Sequence, residues 1–442
     1  MHSILDESAA LQKELSMHVA IITPGAAGMF CGSCMQDNTW ARGLMTTGTQ
    51  VTLIPTYTPI RVDEPNQSQS RVFFGGINVY LNAKSQLWAQ LPQWSKSWLD
   101  TPWMIRQLTQ FGVSNDAAEL GDLTLTMLAG GDGPIRAAGE ELARYIGREL
   151  KPDIVVFSNA LLSGCLPQIQ AEFSGPVACV LQGDDVFLDA LPDSHRSRAI
   201  AAVSERARGF DGFLTHSRFY RDRMARMLSL PVDRFQTIPL SIDLKPHTGT
   251  PGERAGQPFT IGYFARLAPE KGLHHLLEAF EILHARHPEA RLCIGGYEPT
   301  QHHRYIAEQR QRGAAIGPAV EFSGSPDSIE DKVAFYRSID ILSVPTDFEE
   351  PKGIPVLEAW ANGVPVVQPA VGAFPELIGT DGAGGLLVPH RDPMALADAW
   401  ASLLRDRSQL LTLARAGYEK VCEQHSHAAV ARVTLRALNT IR

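Results

Sequence analysis

Two glutamates and two cations in the second half of the chain are the residues best equipped to do chemistry. Glu350 and Glu358 lie eight positions apart in DFEEPKGIPVLEAWANG, with Gly353 and Pro355 between them. Pro355 suits the first turn of a helix, where its missing N–H is not needed, and Gly363 suits the residue just past the end. Glu358 therefore falls inside a short helix, and Glu350 in the loop that enters it. The backbone at Gly353 and Ile354 would offer free N–H groups and a partial positive charge to an anion. Beside that anion, Glu350 would face neutral hydroxyls and Glu358 would accept hydrogen bonds from those of a ribose. The second element is GYFARLAPEKG, where a strand ends and Arg266 and Lys271 follow on the loop before a helix. An Arg fork and a compact Lys charge together suit phosphate oxygens. The plain alternative keeps both glutamates as solvated helix-entry charges and both cations as surface residues.

The elements that must position these groups read as two α/β units. Val19–Thr23, a glycine turn at Gly25 to Gly28, helix-compatible sequence from about Gln36 to Met45, and Val51–Pro55 make a parallel βαβ pattern. Further strands are expected at 153–157, 177–181 and 213–215. After the linker come strands at 259–263, 291–295, 341–344 and 364–367, with helices over 272–286, 354–362 and 393–404. The stretch LKPHTGTPGERAGQP, 244–258, has no periodicity and is the expected linker. The expected division is a lead-in over 1–16, a Rossmann-like N-terminal domain over 17–245 and a linker over 246–258. A second Rossmann-like domain over 259–425 and a terminal helix over 426–442, crossing back to the first domain, complete it. Two doubly wound sheets facing a central cleft would gather both sets of strand ends, and the helix starts beside them, around one ligand.

Composition narrows the classes. Of 442 residues, 44% are hydrophobic and 20% charged, which excludes disordered and fibrous chains. With 40 Lys and Arg against 48 Asp and Glu, the net charge of −8 disfavours nucleic acid as a partner. No apolar run reaches the roughly 18 residues of a membrane span. The first sixteen residues lack the basic-then-apolar order of a secretory signal. Six scattered cysteines imply reduced thiols and a cytoplasmic setting.

In combination and order, GYFARLAPEKG, E-x7-E about 80 residues later and VPVV…VGAFPELI resemble the donor half of a family 4 glycosyltransferase. PDIVVFSNALLSG and Thr237–Asp243 extend the resemblance over most of the chain. It implies the two-Rossmann GT-B fold and a retaining, metal-independent enzyme with no cofactor. Such an enzyme draws on a nucleotide sugar and passes a hexosyl unit to a hydroxyl-bearing acceptor. By the resemblance Arg266 and Lys271 would hold the donor diphosphate and Glu358 the ribose. Glu350, with the backbone around Gly353, would contact the transferred sugar. Gly25 to Gly28 would let the N-terminal backbone approach the phosphates.

The chain also departs from the family pattern. Glu350-Pro-Lys352-Gly353 stands where Glu-x-Phe-Gly is usual, making Lys352 either a third phosphate cation or a surface residue. Gln182-Gly183-Asp184-Asp185 stands where a His-Gly-x-Asp pattern is usual. Gln182 cannot carry a proton but can hydrogen-bond a sugar. One of Asp184 and Asp185 could orient the acceptor, or either could cap a loop.

Cys31-x-x-Cys34 has no second pair to make a metal site, and it reads as acceptor-side lining with Asp37 or Asn38 on the first helical turn. The adjacent His274 and His275 are expected to point apart at the surface. RVFFGGIN, 71–78, is a candidate acceptor loop. The arginine-rich helix of 216–227 is compatible with peripheral membrane contact, but Asp222 and the acidic balance favour a solvated face. Two other readings stand beside the transferase: a nucleotide-sugar isomerase or epimerase, and a non-catalytic sugar-nucleotide binding protein.

Overall fold

The computed structural model describes residues 17–25, 32–62, 64–74, 117–133, 135–254, 257–379 and 382–442. These fall into two units, one of residues up to Ser241 plus Val430–Arg442, the other Ile242–Ala429.

The first unit is a six-stranded parallel sheet in the order β2-β1-β3-β4-β5-β6. Its strands are β1 (His18–Thr23), β2 (Gln50–Pro55), β3 (Ile154–Phe157), β4 (Val177–Val180), β5 (Gly212–Thr215) and β6 (Phe235–Thr237). Continuous apolar runs such as IVVF in β3 are buried along their whole length, as a sheet covered on both faces requires. Helix α1 (Gly32–Met45) joins β1 to β2, and a short helix α2 (Asp184–Asp189) follows β4. After β2 the chain returns to β1's other side as β3, so the β1/β3 boundary is a topological switch point.

The second sheet runs β12-β11-β10-β7-β8-β9, from β7 (Thr260–Phe264), β8 (Arg291–Gly295), β9 (Val320–Gly324), β10 (Ile341–Leu342), β11 (Val366–Pro369) and β12 (Gly385–Val388). Numbered from its own first strand, this is the 3-2-1-4-5-6 order of a dinucleotide-binding fold, with its switch point between β7 and β10. Helix α3 (Leu273–Arg286) follows β7, α4 (Ile329–Arg337) precedes β10 and α5 (Ile354–Ala361) follows it. The terminal helix α6 (His427–Ile441) lays Ala431, Leu435 and Leu438 into the first unit's core beside Met17, Val19 and Trp40. Trp40 Nε1 donates to Thr434 Oγ1 at 3.1 Å.

Three strands escaped the sequence reading: β6, β9 and β12. VEFSG in β9 alternates between half-buried and exposed residues, as an edge strand does, and offers no apolar run to detect. The expected linker is a correction. The chain passes between units at Ser241, and the following segment packs on the second unit. Gly249 N–H donates to Asn362 Oδ1 at 3.3 Å, and Arg254 pairs with buried Asp340 at 3.3 Å. Arg254, Arg337, Asp340 and Arg407 border a cavity of about 270 Å³. Its Pro, Gly and Thr content marks turns that dock rather than a free tether.

Candidate functional site

Loops leaving β7 and β10 meet at the second sheet's switch point. Lys271, at the end of the turn after β7, donates from Nζ to Glu350 Oε2 at 2.6 Å, and its Nζ lies 4.6 Å from the centre of the Phe348 ring. Glu350 is buried, its backbone held by Ala373 N–H on its carbonyl at 2.8 Å. Burial pushes the Glu350 carboxyl up, but the Lys271 ammonium, with Lys352 beyond it, outweighs that and holds it below the usual Glu range. The Lys352 N–H also donates to Glu350 Oε1 at 3.3 Å. Lys352 itself is buried, which removes the surface reading of that residue.

Gly353 caps α5, Ile354 is its first residue and Pro355 lies in the first turn. Helix geometry leaves the first backbone N–H groups there without in-helix acceptors. Arg266 is more exposed than Lys271, its side chain 43% accessible, and pairs with Glu270. Glu358 lies buried one turn into α5, where it takes Lys332 Nζ on Oε1 at 2.9 Å and the Tyr336 hydroxyl on Oε2 at 2.7 Å. Lys332 and Tyr336 were missed by the sequence reading. A signal existed: Ile329, Lys332, Val333 and Tyr336 follow the i, i+3, i+4, i+7 spacing of a buried helix face, with a lysine inside it.

The His274 and His275 rings do not diverge; their centres are 4.0 Å apart. His275 Nε2 is 3.2 Å from Asp347 Oδ1, which also receives Arg391 Nε at 2.5 Å. Among the described residues His274, His275 and Asp347 are the one group with ligand atoms mutually within 4.8 Å. The Arg391 cation on the same carboxylate oxygen opposes a dication there.

In the first unit a second polar cluster gathers at the β1/β3 switch point. Asp37 accepts from Thr23 Oγ1 at 2.7 Å and from Gln182 Nε2 at 2.8 Å, and that amide also donates to the Ser158 carbonyl at 3.0 Å. The helix begins at Gly32, so Asp37 and Asn38 sit in its second turn rather than its first. Asn38 tethers the neighbouring loop, donating to Pro65 O at 3.2 Å and accepting from Gln67 N–H at 2.8 Å.

Asp184 takes the capping role: its carboxylate accepts from Ala160 N–H at 2.7 Å and Gln182 N–H at 3.0 Å. Asp185 is occupied by the Tyr220 hydroxyl at 2.7 Å and Arg223 at 2.6 Å, which also ties the arginine-rich helix down at that point. Gly25 has φ 78°, and a Cβ there would meet the Thr58 carbonyl oxygen at 2.0 Å, so its glycine answers a close backbone approach within this unit. Gly28 and Cys31 lie outside the described residues. Of the aromatic stretch after Arg71, Phe73 and Phe74 are core residues, and Arg71 sits 4.6 Å over Phe73 while pairing with Glu141. The rest of that candidate loop lies outside the described residues.

Burial pushes the Asp184 carboxyl up to about 6, against the two N–H donors that favour its charge. An acid whose folded value is raised keeps its proton in the folded state while the unfolded chain releases it. Stability therefore falls as pH rises from near 3.8 to about 6 and is flat above. The fall across that interval amounts to about 3 kcal/mol. Asp184→Asn is expected to remove that slope, whatever constant cost its amide adds beside Gln182 N–H. Thermal midpoints of both proteins across pH 4–7 check this, and equal slopes would exclude Asp184 as the source.

The second unit is thus a Rossmann-type α/β unit with a half-buried cation–carboxylate pair at its switch point. Residues 258–406, within the second unit, match the family model described as Glycosyl transferases group 1. The chain is 34% identical over 158 residues to a D-inositol 3-phosphate glycosyltransferase of Corynebacterium urealyticum, covering 35% of this chain and 37% of that protein. It is 31% identical over 275 residues to a putative colanic acid biosynthesis glycosyltransferase of Salmonella typhimurium, covering 60% and 65%. The matches therefore span from about a third to two-thirds of these relatives' lengths.

Among solved structures, sucrose-phosphate synthase of Thermosynechococcus elongatus superposes with TM-score 0.70 at 18% identity, covering 96% of this chain and 99% of that one. An Anabaena protein solved with UDP and glucose superposes with TM-score 0.66 at 14% identity, covering 96% and 100%. At such identities the likeness is one of fold, two Rossmann-like domains.

Proposed function

We propose that this protein is a retaining glycosyltransferase that moves a hexosyl unit from a nucleoside diphosphate sugar to a hydroxyl acceptor. The observation that carries the reading is the half-buried Lys271–Glu350 pair beside the start of α5, at the switch point of a Rossmann-ordered sheet. Lys271, Arg266 and the N–H groups at Gly353 and Ile354 would supply the positive charge that a departing diphosphate needs. Glu350, kept ionised by Lys271, is an acceptor for hydroxyls of the transferred sugar, and Glu358 is an acceptor for the ribose. In the reaction the bond from the anomeric carbon to the diphosphate oxygen breaks and a bond to the acceptor oxygen forms on the same face. The acceptor's proton passes to the leaving diphosphate. The Anabaena neighbour's bound UDP and glucose accord with this substrate class.

Calorimetric titration with UDP, GDP and ADP tests the reading. Micromolar binding of one nucleotide is expected, followed by transfer from its sugar conjugates when acceptors are screened. No binding by any of the three would overturn it. Conversion of the sugar nucleotide without an acceptor would replace it with the isomerase or epimerase reading.

A further inference from the structure

We propose that Lys332 is a positioning residue of the nucleotide site, acting through Glu358 to make one carboxylate a paired acceptor for the two ribose hydroxyls. The inference rests on the function proposed above and concerns a residue that makes no part of its phosphate or sugar contacts.

Lysine is almost never fully buried unless paired. Lys332 is buried on the face of α4 that also carries Val333 and Tyr336, and its Nζ is 2.9 Å from Glu358 Oε1. Tyr336, one turn on, donates to the other oxygen at 2.7 Å. One donor therefore holds each oxygen from the α4 side, fixing the carboxylate plane. An ionised carboxylate has about four lone-pair sites. One remains on each oxygen, the number a vicinal diol needs to donate two parallel hydrogen bonds. The helix bearing Glu358 is fixed as well, since Asn362 Nδ2 donates to the Glu358 carbonyl at 2.9 Å.

A cation under the carboxylate also balances its buried charge, so that Glu358 does not need a ligand cation. It can then recognise neutral hydroxyls. Tyr336 alone could orient the carboxylate but not balance it, which is why the lysine and not the tyrosine is the residue assigned.

The test compares UDP, GDP and ADP with their 2′,3′-dideoxy counterparts, by calorimetry on the full chain. Hydrogen bonds to a charged group are worth about 1.5–3 kcal/mol each, so the wild-type protein is expected to prefer its ribonucleotide by about tenfold or more. Lys332→Met should reduce that preference to within about twofold while leaving dideoxynucleotide affinity unchanged. Glu358→Gln should do the same, and the double variant should lose nothing further.

Should Lys332→Met fail to fold, Lys332→Gln retains an amide donor without the charge and is read identically. A retained ribose preference, or equal losses for both nucleotides, would overturn the assignment and mark Lys332 as a structural ion-pair partner. A wild-type protein that binds ribose and dideoxy forms alike would overturn it while leaving the proposed function standing. One that binds no nucleotide would overturn both.

Discussion

Lys271→Met is expected to lose nucleoside diphosphate affinity by at least about tenfold and to melt roughly 10 °C below the wild-type protein. The second effect follows from burial. Breaking a buried ion pair by removing one partner costs about 3–5 kcal/mol, because the other charge stays behind in a medium that solvates it poorly. Lys271 is partly accessible, its side chain 19% exposed, so the lower end applies. For a unit of this size each kcal/mol moves the midpoint by about 2–4 °C. The carboxyl left behind would keep only the Lys352 backbone N–H and charge against the burial that raises it.

In the intact pair the sign runs the other way. A carboxyl held below its ordinary value stabilises the fold above the Glu range near 4.5, and that stability is lost as acidification passes its lowered value. The pair with Glu350→Gln separates folding from ligand binding. Lys271→Met with Glu350→Gln removes both charges and should recover most of the melting temperature, but not the nucleotide affinity. Calorimetry and thermal melting of the two variants check both parts. A double variant that binds like the wild-type protein would remove Lys271 from the diphosphate site.

The residues of that pair were legible in the sequence because chemistry and backbone punctuation coincide there. A glycine and a proline mark the helix start, and two cations mark the loop after a strand. Their spacing fixes them on neighbouring loops once the sheet order is known. The sheet order itself was implied only by the alternation of apolar runs and helical segments, and the runs with weak apolar character escaped. β12 begins at Gly385 and β9 alternates at an edge, so neither carries the signature of a strand buried on both faces.

What the sequence hid in the site are partnerships across long separations. Glu358 reads as an open acceptor until α4, 22 to 26 residues earlier, places Tyr336 and Lys332 on it. Asp185 reads as available until Tyr220 and Arg223 occupy it. A titratable residue's type is local information, but its partner depends on which helices the sheet brings side by side. The His274 and His275 rings fail the same way: adjacent positions on a helix diverge at the backbone, yet Tyr305 on one ring and Asp347 on the other bring them together.

Gly272→Ala should be a severely disruptive single-methyl change in the second unit. Gly272 closes the turn that carries Lys271 and opens α3, with φ +70°. A left-handed conformation costs an alanine roughly 1–2 kcal/mol. The larger penalty is steric. A Cβ at this position would stand 1.8 Å from the Pro345 carbonyl oxygen and 2.7 Å from its carbon. Both are backbone atoms, so no rotamer change relieves the overlap. The segment after β10 must move away from the turn after β7, and the same segment carries Glu350 a few residues on. The Lys271–Glu350 contact at 2.6 Å cannot survive that separation unchanged.

Gly324→Ala is the control. Its φ is +79°, and nothing lies within 4 Å of an added Cβ, so it should show the left-handed cost alone. The expected result is a fall in melting temperature for Gly272→Ala at least twice that of Gly324→Ala, with nucleotide affinity lost in the first variant and kept in the second. Equal melting temperatures for the two would mean that the loops after β7 and β10 are not wedged together at Gly272. The rigidity assigned to the Lys271–Glu350 pair would then have another source.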